Sequence, residues 1–161
     1  TTEANPDSVD AEYLAALRAG GFNRISFGMQ SAAPKVLQLL DRTHTPGRAA
    51  AAVAEARQAG FEHINLDLIY GTPGETLAEL ELSLAAAIAA EVDHISAYSL
   101  TIEPGTRLGA LHARGEFPAT DQDDLATKYE LVDDQLSAAG FEWYEISNWA
   151  KAGGEIGRAQ V

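Results

Sequence analysis

The sequence predicts an α/β fold in which parallel strands alternate with helices, and two features carry that prediction. One unit occurs three times: a helix that ends in glycine, then a phenylalanine, then a strand, at residues 20–22, 60–61 and 140–141. Glycine just past a helix end accepts the left-handed conformation that closes the last turn. The second feature is the spacing of the strands by helices with short connections, which is typical of parallel βα units.

The apolar patterns predict the elements in chain order. Helices are expected at about residues 8–19, 34–40, 46–59, 77–90 and 122–139, and strands near residues 24–29, 63–69, 94–99 and 143–146. Thr45 followed by Pro46 is a good start for the third helix, because a hydroxyl can cap a helix and proline fits its first position. Residues 103–120, with two prolines and three glycines, predict an irregular connection.

The most informative segment is I-N-L-D-L-I-Y-G-T-P-G-E-T at residues 64–76. Apolar residues alternate with Asn65 and Asp67, which is the pattern of a strand with two unlike faces. Glycine and proline then break the strand, and Thr76 with Glu79 forms a capping box for the next helix. A carboxylate on an apolar strand is costly to bury without a partner. Asp67 is therefore either part of a ligand site or a structural cap of a neighbouring helix.

Composition limits the classes of protein to which the chain can belong. The 161 residues suffice for one domain or a large piece of one, and 46% of them are hydrophobic. A formal net charge of −13 repels phosphate backbones, so nucleic acid is not an expected partner. The absence of cysteine excludes disulfides and thiolate-bound metal within these residues, and the four histidines are scattered. No apolar run reaches the roughly 20 residues that span a bilayer, and a cytoplasmic location is expected.

Six motifs carry a resemblance to a known family. They run in order over residues 3 to about 155, and read E-A-N-P (3–6), N-R-I-S-F-G-M-Q-S (23–31), L-D-L-I-Y-G-x-P-G-x-T (66–76), H-I-S-A-Y (94–98), L-T-I-E-P-G-T (100–106) and Y-E-I-S-N-W-A (144–150). Together they resemble the radical S-adenosylmethionine (radical SAM) proteins related to oxygen-independent coproporphyrinogen III oxidase. The last two motifs are more similar to the haem-chaperone branch than to the oxidase branch.

The resemblance implies the downstream part of a partial (β/α)6 TIM-like radical SAM barrel, followed by the start of a C-terminal α/β extension. The barrel portion is expected at residues 1–106, the start of the extension at 107–152 and a flexible tail at 153–161. Within the extension, a helix and a strand at residues 121–147 are expected to continue away from the barrel. Half a barrel should also leave an open sheet edge.

The resemblance implies a fragment of a radical SAM haem chaperone, which binds haem and transfers it to an acceptor protein. Its implied cofactors are S-adenosylmethionine and a 4Fe-4S cluster, with haem as a further ligand. Haem or porphyrin and a haem-accepting protein are the expected partners, and contact with a membrane is expected only through an acceptor. The alternative is a coproporphyrinogen III oxidase of porphyrin biosynthesis. A third reading, a small phosphate-binding barrel aldolase, lacks a suitable lysine, since Lys35, Lys128 and Lys151 fall on predicted helices or loops.

The missing cysteines are the main departure from the family pattern. Radical SAM proteins hold the cluster on three cysteines spaced C-x-x-x-C-x-x-C, upstream of the E-A-N-P motif. Glu3 lies almost at the start of this chain, so the cysteines are expected upstream of Thr1. The chain alone is expected to bind no cluster and to be inactive.

Five residues match the family's cofactor-contacting positions by motif: Glu3, Gln30, Arg42, Asp67 and Thr101. Ligands in parallel α/β barrels gather at the C-terminal ends of the strands, where these residues are predicted to lie. Carboxylates accept hydrogen bonds from ribose hydroxyls or an ammonium group, an amide both donates and accepts, and arginine pairs with a carboxylate. Two alternatives stay open: a surface ion pair between Arg42 and its neighbour in sequence, Asp41, and a backbone contact in place of the Thr101 side chain.

Histidines and aromatic residues give weaker indications. His63 and His94 each begin a predicted strand, which favours a partly exposed structural histidine. Trp143, Tyr144 and Trp149 suit either an apolar face for a macrocycle or packing that seals the flank of the barrel.

Overall fold

The structure is a computed structural model and describes residues 1–42, 45, 47–117 and 121–156. Within these residues the strands are β1 (Thr2–Ala4), β2 (Arg24–Gln30), β3 (His63–Tyr70), β4 (His94–Ser99), β5 (Glu142–Glu145) and β6 (Asn148–Ala150). They form one six-stranded sheet with the order β1-β2-β3-β4-β6-β5. The helices are α1 (Ala11–Ala19), α2 (Pro34–Leu39), α3 (Arg48–Gln58), α4 (Leu77–Ala89), α5 (Arg107–Ala113) and α6 (Gln122–Ala138), with a 3-10 turn at Pro6–Ser8.

The first four strands are parallel and are joined by helical segments, as the sequence predicts. The recurrent glycines close the preceding helices in the left-handed conformation: Gly21, Gly60 and Gly140 have φ values of 97°, 89° and 86°. The capping box at the start of α4 is also confirmed, with Glu79 N donating to Thr76 Oγ1 (3.2 Å) and Thr76 N donating to Glu79 Oε2 (2.8 Å).

The last two strands form a hairpin on the same sheet. The expectation that residues 121–147 continue away from the barrel is wrong, because β6 pairs antiparallel with β4 and Ala97 N donates to Ser147 O at 2.9 Å. Sequence analysis also missed β6 itself. Trp149 explains the arrangement: its side chain is fully buried and its Nε1 donates to Asp133 Oδ1 of α6 at 2.8 Å. The hairpin thus covers the edge that β4 would otherwise expose.

Two helices differ from the sequence-based expectation. Residues 103–120 were predicted to be irregular, but they contain α5, which Thr106 caps by accepting a bond from Gly109 N at 3.0 Å. Position 109 requires glycine, since a Cβ there would lie 2.3 Å from the Glu103 carbonyl oxygen. Helix α3 begins at Arg48, and its N-cap is Gly47 without a side-chain cap. The predicted start at Pro46 lies outside the described residues.

The two faces of the parallel sheet are chemically different. On one face, buried apolar side chains pack against the helices; from β2 to β4 these are Ile25, Phe27, Met29, Ile64, Leu66, Leu68, Ile95 and Ala97. The opposite face carries Ser26, Asn65, Asp67 and Ser96, which hydrogen-bond to one another. Period-two alternation therefore separates a helix-covered core from a polar face. Within the described residues, no helix has the length and apolar character needed to cross a membrane.

Candidate functional site

A polar cleft lies at the C-terminal ends of the first three strands. It has a volume of about 280 Å³ and is lined by Glu3, Ala4, Asn5, Ser26, Gly28, Gln30, Arg42 and Asp67. A second cavity of about 350 Å³ shares Gln30 and Asp67 with it and extends over β4 to Thr101. The structure therefore brings four of the five predicted site residues into one cleft and places the fifth in the cavity beside it. Their role in binding a cofactor stays a prediction.

Strand register explains why these side chains meet. Glu3 pairs with Ser26, and Gly28 pairs with Asp67, which in turn pairs with Ser96. Residues that are partners across parallel strands point to the same face of a sheet. The polar positions of neighbouring strands are thereby aligned into rows that cross the sheet beneath the cleft.

Gln30 occupies an unusual backbone conformation at the end of β2. Its φ of 64° is left-handed, which is uncommon for a residue other than glycine, and the pairing of β2 with β3 is irregular between Gly28 and Gln30. Its amide lies over Gly28, where an added Cβ would be only 2.8 Å from Gln30 Nε2. Gly28 thus leaves room for the Gln30 side chain. Such outliers cost about 1–3 kcal/mol and cluster at functional sites.

Asp67 is the central carboxyl group of the cleft. Ser26 Oγ donates to its Oδ2 at 2.9 Å, and Asn65 Nδ2 donates to its Oδ1 at 2.7 Å. Burial raises the pKa of Asp67 above its usual range; the neutral donors act in the opposite direction, while the charge of Glu3 adds to the rise. The partners of Asp67 are side chains of strands, so the alternative of a helix cap is wrong.

A further layer of polar side chains, which sequence analysis did not assign to the site, lies behind Asp67. His94 Nδ1 is 2.6 Å from Asn65 Oδ1, and His94 Nε2 is 2.6 Å from the Tyr144 hydroxyl. The expectation of a partly exposed His94 is wrong: its exposed fraction is 0%, because it begins a strand whose start is covered by the hairpin. The sequence held one indication of this layer: the alternation of β3 places Asn65 on the same face as Asp67.

The rim of the cleft is exposed. Glu3, Arg42 and Thr101 are all solvent-accessible. Among the described residues, Asp41 forms its ion pair with Arg107, with 3.4 Å between Asp41 Oδ1 and Arg107 Nη1, and not with Arg42.

Lys35 and Lys128, two of the lysines weighed for the aldolase alternative, do not line the cleft. Lys35 Nζ donates to Gly74 O at 2.8 Å. Lys128 is buried on α6, where its Nζ forms an ion pair with Asp124. Of the late aromatic residues, Trp149 packs against Tyr129 with 5.9 Å between ring centroids. Trp149 therefore seals the flank of the sheet.

Comparisons with known proteins agree with this geometry. A family model described as the Radical SAM superfamily matches residues 1–87. The Heme chaperone HemW of Mycobacterium tuberculosis is 59% identical over 155 residues, which are 96% of this chain and 40% of that protein. The Heme chaperone HemW of Bacillus subtilis is 42% identical over 95% of this chain and 40% of that protein. The chain thus spans about 40% of the length of these curated relatives.

Solved structures share the fold. Coproporphyrinogen III oxidase (HemN) from Escherichia coli, a radical SAM enzyme, superposes with a TM-score of 0.82 at 24% identity over 94% of this chain and 35% of that chain. Elp3 from Methanocaldococcus infernus superposes with a TM-score of 0.71 at 20% identity over 81% of this chain and 31% of that chain. At these identities the likeness concerns the fold alone, and it supports the predicted partial barrel.

Proposed function

The chain belongs to the radical SAM superfamily, and on that premise we propose that it is part of a haem chaperone that binds haem and passes it to an acceptor protein. The observation that carries the proposal is the similarity to curated haem chaperones, which extends over 96% of the chain and so includes both the cleft and the hairpin. We propose a cytoplasmic site of action, with membrane contact only through an acceptor. The division at residues 106 and 152 into barrel, extension and tail is part of the same proposal.

Superfamily membership implies S-adenosylmethionine and a 4Fe-4S cluster in general. The donor set of the cleft fits the first of these: two carboxyl groups, two amides, a hydroxyl and a guanidinium surround one concave space. The chain contains no cysteine, so the cluster ligands are assigned to residues outside it. When bound at a reduced cluster, the cofactor supplies one-electron chemistry.

Each cleft residue has a role that its chemistry allows. Asp67 and Glu3 accept hydrogen bonds from hydroxyl or ammonium groups, and Gln30 can donate and accept with its amide. Arg42 at the rim is suited to bind a carboxylate through two parallel bonds. Thr101 offers a hydroxyl or a backbone group from the neighbouring cavity. These residues would bind and orient the cofactor, while the helix-covered face of the sheet holds the strands in place.

Replacing Asp67 with Asn tests the cofactor site. We expect affinity for S-adenosylmethionine in the cluster-loaded whole protein to fall by about 1–3 kcal/mol, the scale of a hydrogen bond to a charged group. The carboxylate of wild type, with its raised pKa, opposes folding increasingly as pH rises above its unfolded pKa of about 4. The stability of the variant relative to wild type should therefore improve as pH rises above about 4. Calorimetric titration and denaturant unfolding measure the two effects.

Glu62→Gln is the matched control, because Glu62 is an exposed carboxylate paired with Arg18 away from the cleft. It should change neither quantity. Unchanged cofactor affinity together with a lower stability of Asp67→Asn at every pH would assign Asp67 a structural role instead.

Haem titration and transfer test the proposed function of the whole protein. We expect stoichiometric haem binding, seen as a Soret band, and transfer of that haem to an added apo-haemoprotein. No decarboxylation of coproporphyrinogen III should be detected under reducing, anaerobic conditions. Turnover of coproporphyrinogen III without haem binding would instead assign the protein to porphyrin biosynthesis.

A further inference from the structure

A line of hydrogen bonds connects the end of the described chain to the cleft. Ile156 N donates to the Tyr144 hydroxyl at 3.3 Å, and that hydroxyl is 2.6 Å from His94 Nε2. His94 Nδ1 is 2.6 Å from Asn65 Oδ1, and Asn65 Nδ2 is 2.7 Å from Asp67 Oδ1. Four links therefore join the segment after the hairpin to the central carboxyl group of the cleft.

The chemistry of the groups fixes the direction of every link. An ionised carboxylate only accepts hydrogen bonds, so Asn65 must present its Nδ2 to Asp67 and its Oδ1 to His94. His94 must then donate from Nδ1, and a neutral ring accepts at Nε2, which makes the Tyr144 hydroxyl the donor to Nε2. The Tyr144 oxygen is left to accept from Ile156 N. Each link has one donor and one acceptor, and a single tautomer of His94 satisfies them all.

The surroundings of His94 favour a neutral ring. Its complete burial lowers the pKa of His94 to about 4, and the positive charge of Arg24 acts in the same direction against the weaker opposing charges of Asp93 and Glu155. At neutral pH the imidazole is therefore uncharged and carries one proton. The neighbouring bonds require that proton to be on Nδ1.

We propose that His94 is a positioning residue for the cofactor cleft, whose Nδ1–H holds Asn65 in the one orientation that donates to Asp67. A flipped Asn65 amide would place Oδ1 against the carboxylate of Asp67, and the hydrogen bond from His94 Nδ1 opposes that flip. Tyr144 selects the tautomer by donating to Nε2. The hairpin thus contributes to the cofactor site without touching it. This inference rests on the proposed cofactor site at Asp67.

Two substitutions at position 94 separate positioning from packing. His94→Gln retains a donor for Asn65 and an acceptor for Tyr144, whereas His94→Leu retains neither. In the cluster-loaded whole protein, we expect His94→Leu to weaken binding of S-adenosylmethionine about 3- to 10-fold, the scale of a lost hydrogen bond. His94→Gln should stay close to wild type. Calorimetric titration measures the affinities, and denaturant unfolding measures the stability of each variant.

A double-mutant cycle supplies a readout that a merely structural role would not move. In an Asp67→Asn background, His94→Leu should have no further effect on cofactor affinity, because the oriented carboxylate is already absent. An equal loss in both backgrounds, or equal affinity of His94→Leu and wild type, would overturn the proposal.

Ring ¹⁵N chemical shifts of His94 give a test that needs no cofactor. We expect the shift of a protonated Nδ1 and an unprotonated Nε2 at neutral pH. The opposite tautomer would overturn the positioning role. If His94 has the expected ring shifts but the wild-type protein shows no measurable binding of S-adenosylmethionine, then the proposed cofactor site is wrong and the assigned tautomer of His94 is correct.

Discussion

Replacing Trp149 with alanine will lower the free energy of unfolding by about 3–5 kcal/mol, the range observed for removing a large aromatic side chain from a core. The indole of Trp149 is fully buried, contacts Tyr129 of α6 and donates to Asp133. Alanine would leave a cavity between the sheet and α6 and remove the bond to Asp133. Within β6, a strand of three residues, Trp149 is the large side chain that is fully buried.

Trp143 provides the matched control. It is the ladder partner of Trp149 on β5, yet 54% of it is exposed. Trp143→Ala should change the free energy of unfolding by no more than about 0.5–1 kcal/mol, as for other exposed substitutions. Denaturant unfolding measures both variants, and hydrogen exchange at Ala97, whose N–H bonds to Ser147 O, reports whether the hairpin has left β4. Similar losses for the two tryptophans would contradict the anchoring role of Trp149.

The parallel strands and the cleft could be predicted because both depend on local patterns. Alternation in β3 identifies the face that carries Asp67, and a parallel arrangement brings the ends of β1 to β3 together. The resemblance then selected Glu3, Gln30 and Arg42, which do line the cleft. Each of these inferences needs only residues that are close in sequence, together with a rule about where strand ends meet.

The hairpin and the layer behind Asp67 could not be predicted because they depend on distant pairings. His94 lies 29 residues from Asn65 and 50 from Tyr144, and nothing local marks these three as partners. The register of β6 on β4 is likewise determined by where Trp149 is buried. Helix α5 was missed because Gly105 and Gly109 suggest a loop, whereas Gly109 is needed for close packing against Glu103.

Replacing Lys128 with methionine will also destabilise the protein, here through charge. Lys128 lies on α6 with an exposed fraction of 1%, and its Nζ bonds to Asp124. Glu75, in the turn between β3 and α4, is buried too, and its Oε2 accepts from Gly71 N at 2.6 Å. Burial raises the pKa of Glu75, while the positive charge of Lys128 acts in the opposite direction. The Gly71 N–H and, to a smaller extent, the charge of Lys128 thus favour the ionised form of this buried carboxyl group.

Leaving a buried polar or charged group with fewer favourable partners typically costs about 1–3 kcal/mol. We expect a loss of this size for Lys128→Met at neutral pH. Methionine fills much of the volume of lysine, so the loss measures charge more than packing. Asp124→Asn should cost no more than about 1 kcal/mol, since Asp124 is half-exposed and solvent screens its charge.

The pH dependence of the loss identifies its cause. Without Lys128, the pKa of Glu75 in the folded state rises further above its unfolded value. A group with a raised pKa in the folded state destabilises that state progressively as pH increases, and has no such effect once it is protonated in both states. The cost of Lys128→Met should therefore grow as pH rises through the acidic range towards neutral.

Adding Glu75→Gln should recover most of that cost, because the amide carries no charge and can still accept from Gly71 N. Denaturant unfolding of wild type, both single variants and the double variant across this pH range measures the coupling. A loss that is independent of pH and persists in the double variant would show that Lys128 acts by packing its aliphatic chain and not by compensating Glu75.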